Sequence, residues 1–119
     1  MSKFVLLTHD HPHWHWDLML ESDGILRTWR LDSDPLIVGR IAATPLPDHR
    51  LLYLDYEGPV SNQRGHVLRW DRGEYEIVRE DDKALEIALR GARLQGRAQL
   101  TTASDGAVWF QFTADPSTS

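Results

Sequence analysis

Four of the six histidines lie between positions 9 and 15, in the segment His9-Asp10-His11-Pro12-His13-Trp14-His15-Trp16-Asp17. His15 and Asp17 are two residues apart, so on a β-strand they point to the same side, about 6–7 Å apart at the backbone. If Pro12 turns the chain, the flanking segments pair as strands and His9 comes opposite His15 or Asp17. Two imidazoles and one carboxylate suit Mn²⁺, Fe²⁺ or Zn²⁺ and leave positions for water or substrate. The alternative is a group of ordinary surface or hydrogen-bonding histidines, and the residues alone leave both interpretations open.

A further histidine precedes a tyrosine by four residues, in Asp48-His49-Arg50-Leu51-Leu52-Tyr53. One interpretation is a proton or hydrogen-bond donor at His49 and a hydroxyl at Tyr53, both near a metal. The other is a loop histidine followed by a buried tyrosine. The spacing by itself is a weak motif.

The elements that must position these residues are short apolar runs separated by Pro, Gly, Asn and Asp turns, which is typical of antiparallel β-structure. From Trp14 to Glu21 the pattern alternates strictly, with His15, Asp17, Met19 and Glu21 on one face and Trp14, Trp16, Leu18 and Leu20 on the other. Ser22-Asp23-Gly24 predicts a hairpin turn. Lys83–Leu89 is compatible with a strand or with a short helical segment. Further strands are predicted at 4–9, 25–31, 37–43, 51–56, 66–71, 74–79, 94–101 and 108–113. The predicted fold is all-β, a small antiparallel barrel or sandwich of about eight strands, and we favour the barrel.

Composition limits the class of protein. The chain has 119 residues, of which 41% are hydrophobic, no cysteine, and a net charge of −5. These values predict a single domain over residues 1–119, with a core at about 4–113 and a frayed polar tail at 114–119. They exclude a disulfide framework, a thiolate zinc site and a cysteine nucleophile.

We find no signal peptide or membrane span in the sequence, and expect a cytoplasmic monomer without membrane partners. The charge argues against bulk coating of nucleic acid. Trp14, Trp16, Trp29 and Trp70 are expected to fill the core.

An ordered series of motifs runs through most of the chain. It comprises His9-Asp10, His15-Trp16-Asp17 with Glu21, Asp23-Gly24 leading to Trp29, Asp48-His49 with Tyr53, Tyr56-Glu57-Gly58, Gly65-His66-Val67 with Trp70-Asp71, and Leu89-Arg90-Gly91-Ala92-Arg93-Leu94. Taken together, residues 4–113 resemble the 3′-phosphoesterase domain family of the bacterial end-joining DNA ligase LigD and its stand-alone relatives.

The resemblance implies a β-barrel enzyme that removes a 3′-terminal ribonucleoside and then the 3′-phosphate from DNA, leaving a 3′-OH for repair. By position, His9, His15 and Asp17 would hold a divalent metal, Mn²⁺ first, with Zn²⁺ or another transition metal as alternatives. His49 would stabilise the transition state or protonate the leaving oxygen, and Tyr53 would contact the phosphate. The implied partners are DNA or RNA 3′ ends, together with a separate ligase or polymerase.

This sequence also departs from the family pattern. The family's arginine two residues after the metal-binding aspartate is Met19 here, and the lysine expected after the hairpin tryptophan is absent from Arg30-Leu31-Asp32-Ser33. A thioether cannot replace a guanidinium as a bidentate phosphate ligand. Arg40, with a one-residue shift, and Arg27 or Arg64 are the candidate phosphate-binding replacements.

The departures leave three hypotheses. The first is an active metal-dependent 3′-phosphoesterase. The second is a catalytically weakened metal- and DNA-end-binding module of the same fold. The third is a structural barrel whose histidines bind no metal.

Overall fold

Residues 2–116 are described by a computed structural model, in which alternating sequence patterns become nine strands and one 3₁₀ helix. The strands are β1 (Ser2–His9), β2 (His15–Ser22), β3 (Ile25–Leu31), β4 (Arg40–His49), β5 (Gly58–Pro59), β6 (His66–Glu80), β7 (Ala84–Gly91), β8 (Gln95–Thr102) and β9 (Val108–Ala114), and the 3₁₀ helix is Leu51–Leu54. Among these residues, no helix has the length and hydropathy needed to span a bilayer.

Two antiparallel meanders, β1 to β4 and β6 to β9, close into an eight-stranded barrel. β4 pairs with β9 on one side, β1 pairs with β6 on the other, and the two-residue β5 is added beside β6. Every pairing is antiparallel. The predicted all-β barrel is therefore confirmed, and closure removes the free sheet edges that promote aggregation.

The barrel interior is filled by one face of each strand. Its buried residues are Phe4, Leu6, Leu18, Leu20, Trp29, Leu31, Ile41, Ala43, Tyr75, Leu85, Ile87, Leu89, Leu94, Ala98, Leu100 and Phe110. Because side chains alternate along a strand, the residues between these face outward. On β2 the interior therefore takes Leu18 and Leu20, while His15, Asp17 and Met19 lie on the outer face.

A second, smaller cluster lies on that outer face and is called the outer cluster below. It consists of Val5, Leu7, Met19, Leu26, Leu54 and Val67, with Tyr53, Tyr56 and Val60 packed against it. Its cover is the 3₁₀ helix and the loop that follows, so this segment shields the part of the outer face beside His15 and Asp17.

The strands predicted at 51–56, 66–71, 74–79 and 37–43 need correction. Leu51–Tyr56 is not a strand, because Leu51–Leu54 closes a 3₁₀ turn through the Tyr53 N–H to Arg50 carbonyl and Asp55 N–H to Leu52 carbonyl bonds. In this turn Leu54 is buried in the outer cluster. A short apolar run does not by its periodicity distinguish a strand from a helical turn.

The segments predicted as separate strands at 66–71 and 74–79 form the single strand β6. Gly73 is not a turn residue: a Cβ there would lie 2.1 Å from the Arg90 carbonyl oxygen, so glycine permits close approach of β7. The ambiguous segment Lys83–Leu89 is resolved as strand β7, and the strand predicted at 37–43 begins later, at Arg40.

The tryptophan prediction is wrong for Trp14, whose side chain is 54% exposed. Trp29 is buried, and Trp16 and Trp70 are partly buried against the barrel core. The predicted frayed tail lies only partly within the described residues. Ala114 still belongs to β9 and the Asp115 N–H bonds to the Gln95 carbonyl, while residues 117–119 lie outside the described part of the chain.

Candidate functional site

The turn at residues 10–14 brings three predicted ligands together. β1 and β2 pair with His9 directly opposite His15, and Leu7 opposite Asp17. One ligand atom from each of His9, His15 and Asp17 lies within 4.8 Å of the others. His15 and Asp17 are buried and His9 is partly buried. We refer to these three residues as the triad.

Backbone carbonyls orient both imidazoles of the triad. His15 Nδ1 lies 2.9 Å from the His13 carbonyl oxygen, and His9 Nε2 lies 2.7 Å from the Arg64 carbonyl oxygen. A carbonyl can only accept, so each of these ring nitrogens carries the proton and donates. In the neutral imidazoles the opposite nitrogens, His15 Nε2 and His9 Nδ1, carry the lone pairs, and both lie close to Asp17. This arrangement is typical of metal-binding histidines.

The inner atoms of the triad lack the partners that buried polar atoms usually have. His15 Nε2 is 3.2 Å from Asp17 Oδ1, and His9 Nδ1 is 3.5 Å from Asp17 Oδ2. Despite this proximity, His15 Nε2 and Asp17 Oδ1 are buried without a hydrogen-bond partner among the described residues. When the imidazoles are neutral, their lone pairs and the oxygens of the Asp17 carboxylate repel one another unless a cation lies between them. The donor set and its unsatisfied atoms therefore fit a divalent metal ion.

The loop before β6 is fixed against the triad by Asp10. The His66 backbone N–H donates to the Asp10 carboxylate at 2.7 Å and holds the pKa of Asp10 below its usual value. A Cβ at Gly65, which has a φ of +76°, would lie 2.1 Å from the same carboxylate. Glycine at 65 thus permits the close approach that places the Arg64 carbonyl on His9.

A cavity of about 90 Å³ opens beside the triad. It is lined by His9, Asp17, Met19, His49, Tyr53, Val60, Arg64 and Val67. The cavity therefore places residues of the triad, His49, Tyr53 and Arg64 around one space beside the barrel.

The second predicted pair is also at this cavity. The His49 and Tyr53 rings lie with centroids 5.8 Å apart, one at the end of β4 and the other in the 3₁₀ helix. His49 Nδ1 donates to the Pro47 carbonyl oxygen at 2.8 Å, which leaves Nε2 free to face a ligand.

The three candidate phosphate-binding arginines are placed differently. Arg64 lines the cavity, and its guanidinium donates to the carbonyl and the hydroxyl of Ser61. The structure does not bring the other two to the triad. Arg27 pairs across the sheet with the core residue Leu20, so it lies on the inner face, where it bonds to Glu80. Arg40 stacks on Trp109, 4.1 Å from the ring centroid.

Met19 is part of the floor of the cavity. Its side chain is 1% exposed and packs in the outer cluster, which extends the apolar surface up to Asp17. A methionine here cannot bind an anion through hydrogen bonds, so phosphate binding on this face must come from other residues.

Sequence reasoning missed three contributors, the carbonyl groups of His13, Pro47 and Arg64. Every residue type has a carbonyl, so no sequence pattern marks them. It also missed Arg30, which the β2–β3 register places opposite Asp17. The pairing of adjacent hairpin strands could have indicated this position.

Comparison with known proteins finds a family similarity over most of the chain. A family model described as "DNA Ligase D 3'-phosphoesterase domain" matches residues 7–102. The chain is 33% identical over 111 residues to the multifunctional non-homologous end joining protein LigD of Pseudomonas aeruginosa, covering 84% of this chain and 13% of that protein. It is 31% identical over 119 residues to LigD of Mycobacterium bovis, covering 92% and 15%. With LigD of Mycolicibacterium smegmatis the values are 29% over 115 residues, 83% and 15%. The chain thus spans about a seventh of the length of these relatives.

Proposed function

The chain belongs to the DNA ligase D 3′-phosphoesterase domain family, and from this membership and the triad geometry we propose that it is a metal-dependent phosphoesterase acting on nucleic-acid 3′ ends. Its relatives in Pseudomonas aeruginosa and Mycobacterium bovis are named as non-homologous end joining proteins, which supports a role in DNA repair. The proposed reactions are removal of a 3′-terminal ribonucleoside and of the remaining 3′-phosphate, leaving a 3′-OH.

The observation that carries this proposal is the convergence of two imidazoles and one carboxylate beside a cavity that His49 and Tyr53 also line. His9, His15 and Asp17 would hold the divalent ion, with Mn²⁺ as the first candidate and Zn²⁺ or another transition metal as alternatives. When bound, a divalent ion supplies Lewis-acid polarisation of the phosphoryl group and offsets negative charge.

His49 and Tyr53 provide the remaining chemistry in the proposal. Water attacks phosphorus and releases one proton to solvent, its oxygen stays on the phosphate product, and the bond between phosphorus and the leaving oxygen breaks. Protonated His49 then donates from Nε2 to that oxygen, which becomes the hydroxyl of the departing ribonucleoside or of the 3′ end. The Tyr53 hydroxyl donates to a non-bridging phosphate oxygen. Preorganised donors of this kind stabilise charge that develops in the transition state.

The test is hydrolysis of two primer-templates, one ending in a 3′-phosphate and one in a single 3′-ribonucleotide. We expect Mn²⁺-dependent conversion to a 3′-OH end by the wild-type chain, and no conversion in EDTA or by Asp17→Asn. Absence of product from folded wild-type protein with Mn²⁺, Zn²⁺, Co²⁺ and Fe²⁺ each supplied separately would overturn the proposal.

Met19 favours a second candidate function, a weakened module that binds metal and DNA ends with little turnover. The buried methionine occupies the position where the resemblance implies a phosphate-binding arginine. This candidate predicts Mn²⁺-dependent binding of 3′-phosphorylated ends without product. Recovery of hydrolysis in Met19→Arg would support it, and efficient wild-type turnover would exclude it.

A further inference from the structure

Arg30 lies beside the triad on the same outer face of the barrel. It is directly opposite Asp17 in the β2–β3 pairing. Residues opposite each other on antiparallel strands lie on one face, with Cβ atoms about 4.5–5.5 Å apart. On its other side Asp17 is opposite Leu7 of β1. Arg30 therefore flanks the triad from β3, on the side of Asp17 away from β1.

The cationic group of Arg30 has no anionic partner among the described residues, although an aspartate is its cross-strand neighbour. The Asp17 oxygens face His15 and His9, at 3.2 and 3.5 Å, and no ion pair joins Asp17 to Arg30. On β4 its neighbour is Thr44, which carries no charge. Arg30 Nε is buried without a hydrogen-bond partner. A partly buried guanidinium in this state favours binding of an anion from solution.

The arginines predicted to bind phosphate have other partners. Arg27 forms an ion pair with Glu80, Arg40 stacks on Trp109, and the Arg64 guanidinium is held by Ser61. Binding of phosphate by any of them would require an existing contact to break or be shared. Within residues 2–116, Arg30 has no such ion pair, stacking contact or guanidinium hydrogen bond to lose.

We propose that Arg30 binds a non-bridging oxygen of the substrate phosphate held at the triad. It thereby supplies from β3 a guanidinium that Met19 cannot supply from β2. The planar guanidinium can donate two parallel hydrogen bonds to phosphate oxygens. This inference rests on the proposed function, because a phosphate group must occupy the triad for Arg30 to contact it.

The test compares equilibrium binding of one oligonucleotide carrying either a 3′-phosphate or a 3′-hydroxyl, with Mn²⁺ present. The His49→Ala background removes the proposed proton donor, so that turnover does not consume the ligand. We expect this parent to prefer the 3′-phosphate roughly tenfold to a hundredfold. Adding Arg30→Gln should reduce the preference roughly fivefold to tenfold, because Mn²⁺ and Tyr53 still contact the phosphate, and Arg30→Lys should restore part of it. The matched control is Arg97→Gln, because Arg97 is exposed on β8 and paired with Glu86.

The inference is overturned if the parent shows no preference for the 3′-phosphate, or if Arg30→Gln retains it. Hydrolysis by the wild-type chain separates this failure from failure of the proposed function. If the wild type hydrolyses the substrate and Arg30→Gln keeps the parent's preference for the 3′-phosphate, only the role of Arg30 is rejected. If the preference for the 3′-phosphate depends on Arg30 but the wild type does not hydrolyse the substrate, the role of Arg30 in binding is supported and the proposed enzymatic function is rejected. Equal melting temperatures of Arg30→Gln and the parent show that the loss is not one of folding.

Discussion

A backbone carbonyl group orients each imidazole of the triad. The His13 carbonyl accepts a hydrogen bond from His15 Nδ1–H, and the Arg64 carbonyl accepts one from His9 Nε2–H. The other nitrogen of each ring lies close to Asp17. Orientation by an outer hydrogen bond preserves the ligand geometry before any ion arrives. At the residue scale, the hydrogen bonds of the two imidazoles therefore support the proposal that the triad holds a cation.

Asp17→Asn tests that proposal. The variant should lose the rise in melting temperature that Mn²⁺ gives the wild type, because a ligand that binds only the folded state stabilises it. In EDTA its melting temperature should equal or exceed that of the wild type, since an amide N–H can donate to an imidazole lone pair. Calorimetry with and without Mn²⁺ measures both effects, with Asp82→Asn in the exposed β6–β7 turn as the charge-matched control. A marked loss of stability in EDTA would contradict the unsatisfied state of the triad.

His49→Gln should separate chemistry from metal binding. We expect hydrolysis to fall roughly 10²–10⁴-fold, because a positioned proton donor is lost. The Mn²⁺-induced rise in melting temperature should remain, since His49 is not one of the three ligands. His11→Gln, in the exposed loop before β2, serves as the control and should retain activity. Loss of the Mn²⁺ effect in His49→Gln would instead place His49 among the ligands.

The proximity of the triad could be predicted from the sequence because it depends on local pairing. A turn at Pro12 followed by alternation predicts His9 opposite His15 or Asp17, and the structure places it opposite His15. The ligand role of these residues stays a prediction. The position of Arg30 opposite Asp17 also follows from local hairpin pairing, whereas the cavity could not be predicted, because it takes residues such as Tyr53 and Arg64 from distant segments.

At the scale of elements, Asp71 on β6 holds the β7–β8 turn within the second meander. Its carboxylate accepts backbone N–H groups from Arg72, Ala92, Arg93 and Leu94, at 2.8 to 3.1 Å. It is buried, and it therefore fixes the β7–β8 turn against the bend in β6. Several charge-assisted bonds to one buried carboxylate are difficult to replace with a neutral side chain.

Asp71→Asn should lower the free energy of unfolding by about 2–4 kcal/mol, because buried N–H groups lose acceptors. Urea denaturation followed by circular dichroism measures the change. Asp105→Asn is the control, since exposed Asp105 accepts only one described hydrogen bond, from the Ala107 N–H, and should change stability by less than about 1 kcal/mol. Equal effects of the two substitutions would contradict the role given to Asp71.

The 3₁₀ helix shows why the sequence prediction of this segment was wrong. The sequence predicts a strand for this apolar segment, but in the structure Leu54 is buried in the outer cluster while Leu51 and Leu52 are exposed. The 3₁₀ turn forms because it buries Leu54 against apolar residues of β1, β2, β3 and β6. Local propensity contains no information on such a surface, so tertiary packing decides the element.

On the scale of the whole molecule, the barrel separates stability from function. The inner faces of eight strands form the core, and the outer face of β1, β2 and β3 presents the triad and Arg30. The alternation of two faces was readable from the sequence, which is why the fold class could be predicted. Closure of the barrel depends on the distant β1–β6 and β4–β9 pairings, which the sequence does not specify by local pattern.

Net charge makes a prediction for the whole surface. At −5 the protein should contact few phosphates, so the slope of log binding constant against log salt should be about −1 to −3. Anisotropy titrations of a 3′-phosphorylated duplex from 50 to 300 mM salt give this slope. A slope steeper than about −5 would show an extended phosphate-contacting surface and contradict recognition of a local 3′ end.

The central claim is that the triad is a metal centre, and anomalous diffraction from crystals grown with Mn²⁺ tests it most directly. We expect a single strong peak at the manganese absorption edge within about 2.0–2.3 Å of His9 Nδ1, His15 Nε2 and an Asp17 carboxylate oxygen. A triad without a peak at saturating Mn²⁺, closed instead by direct hydrogen bonds from the imidazoles to Asp17, would contradict the claim.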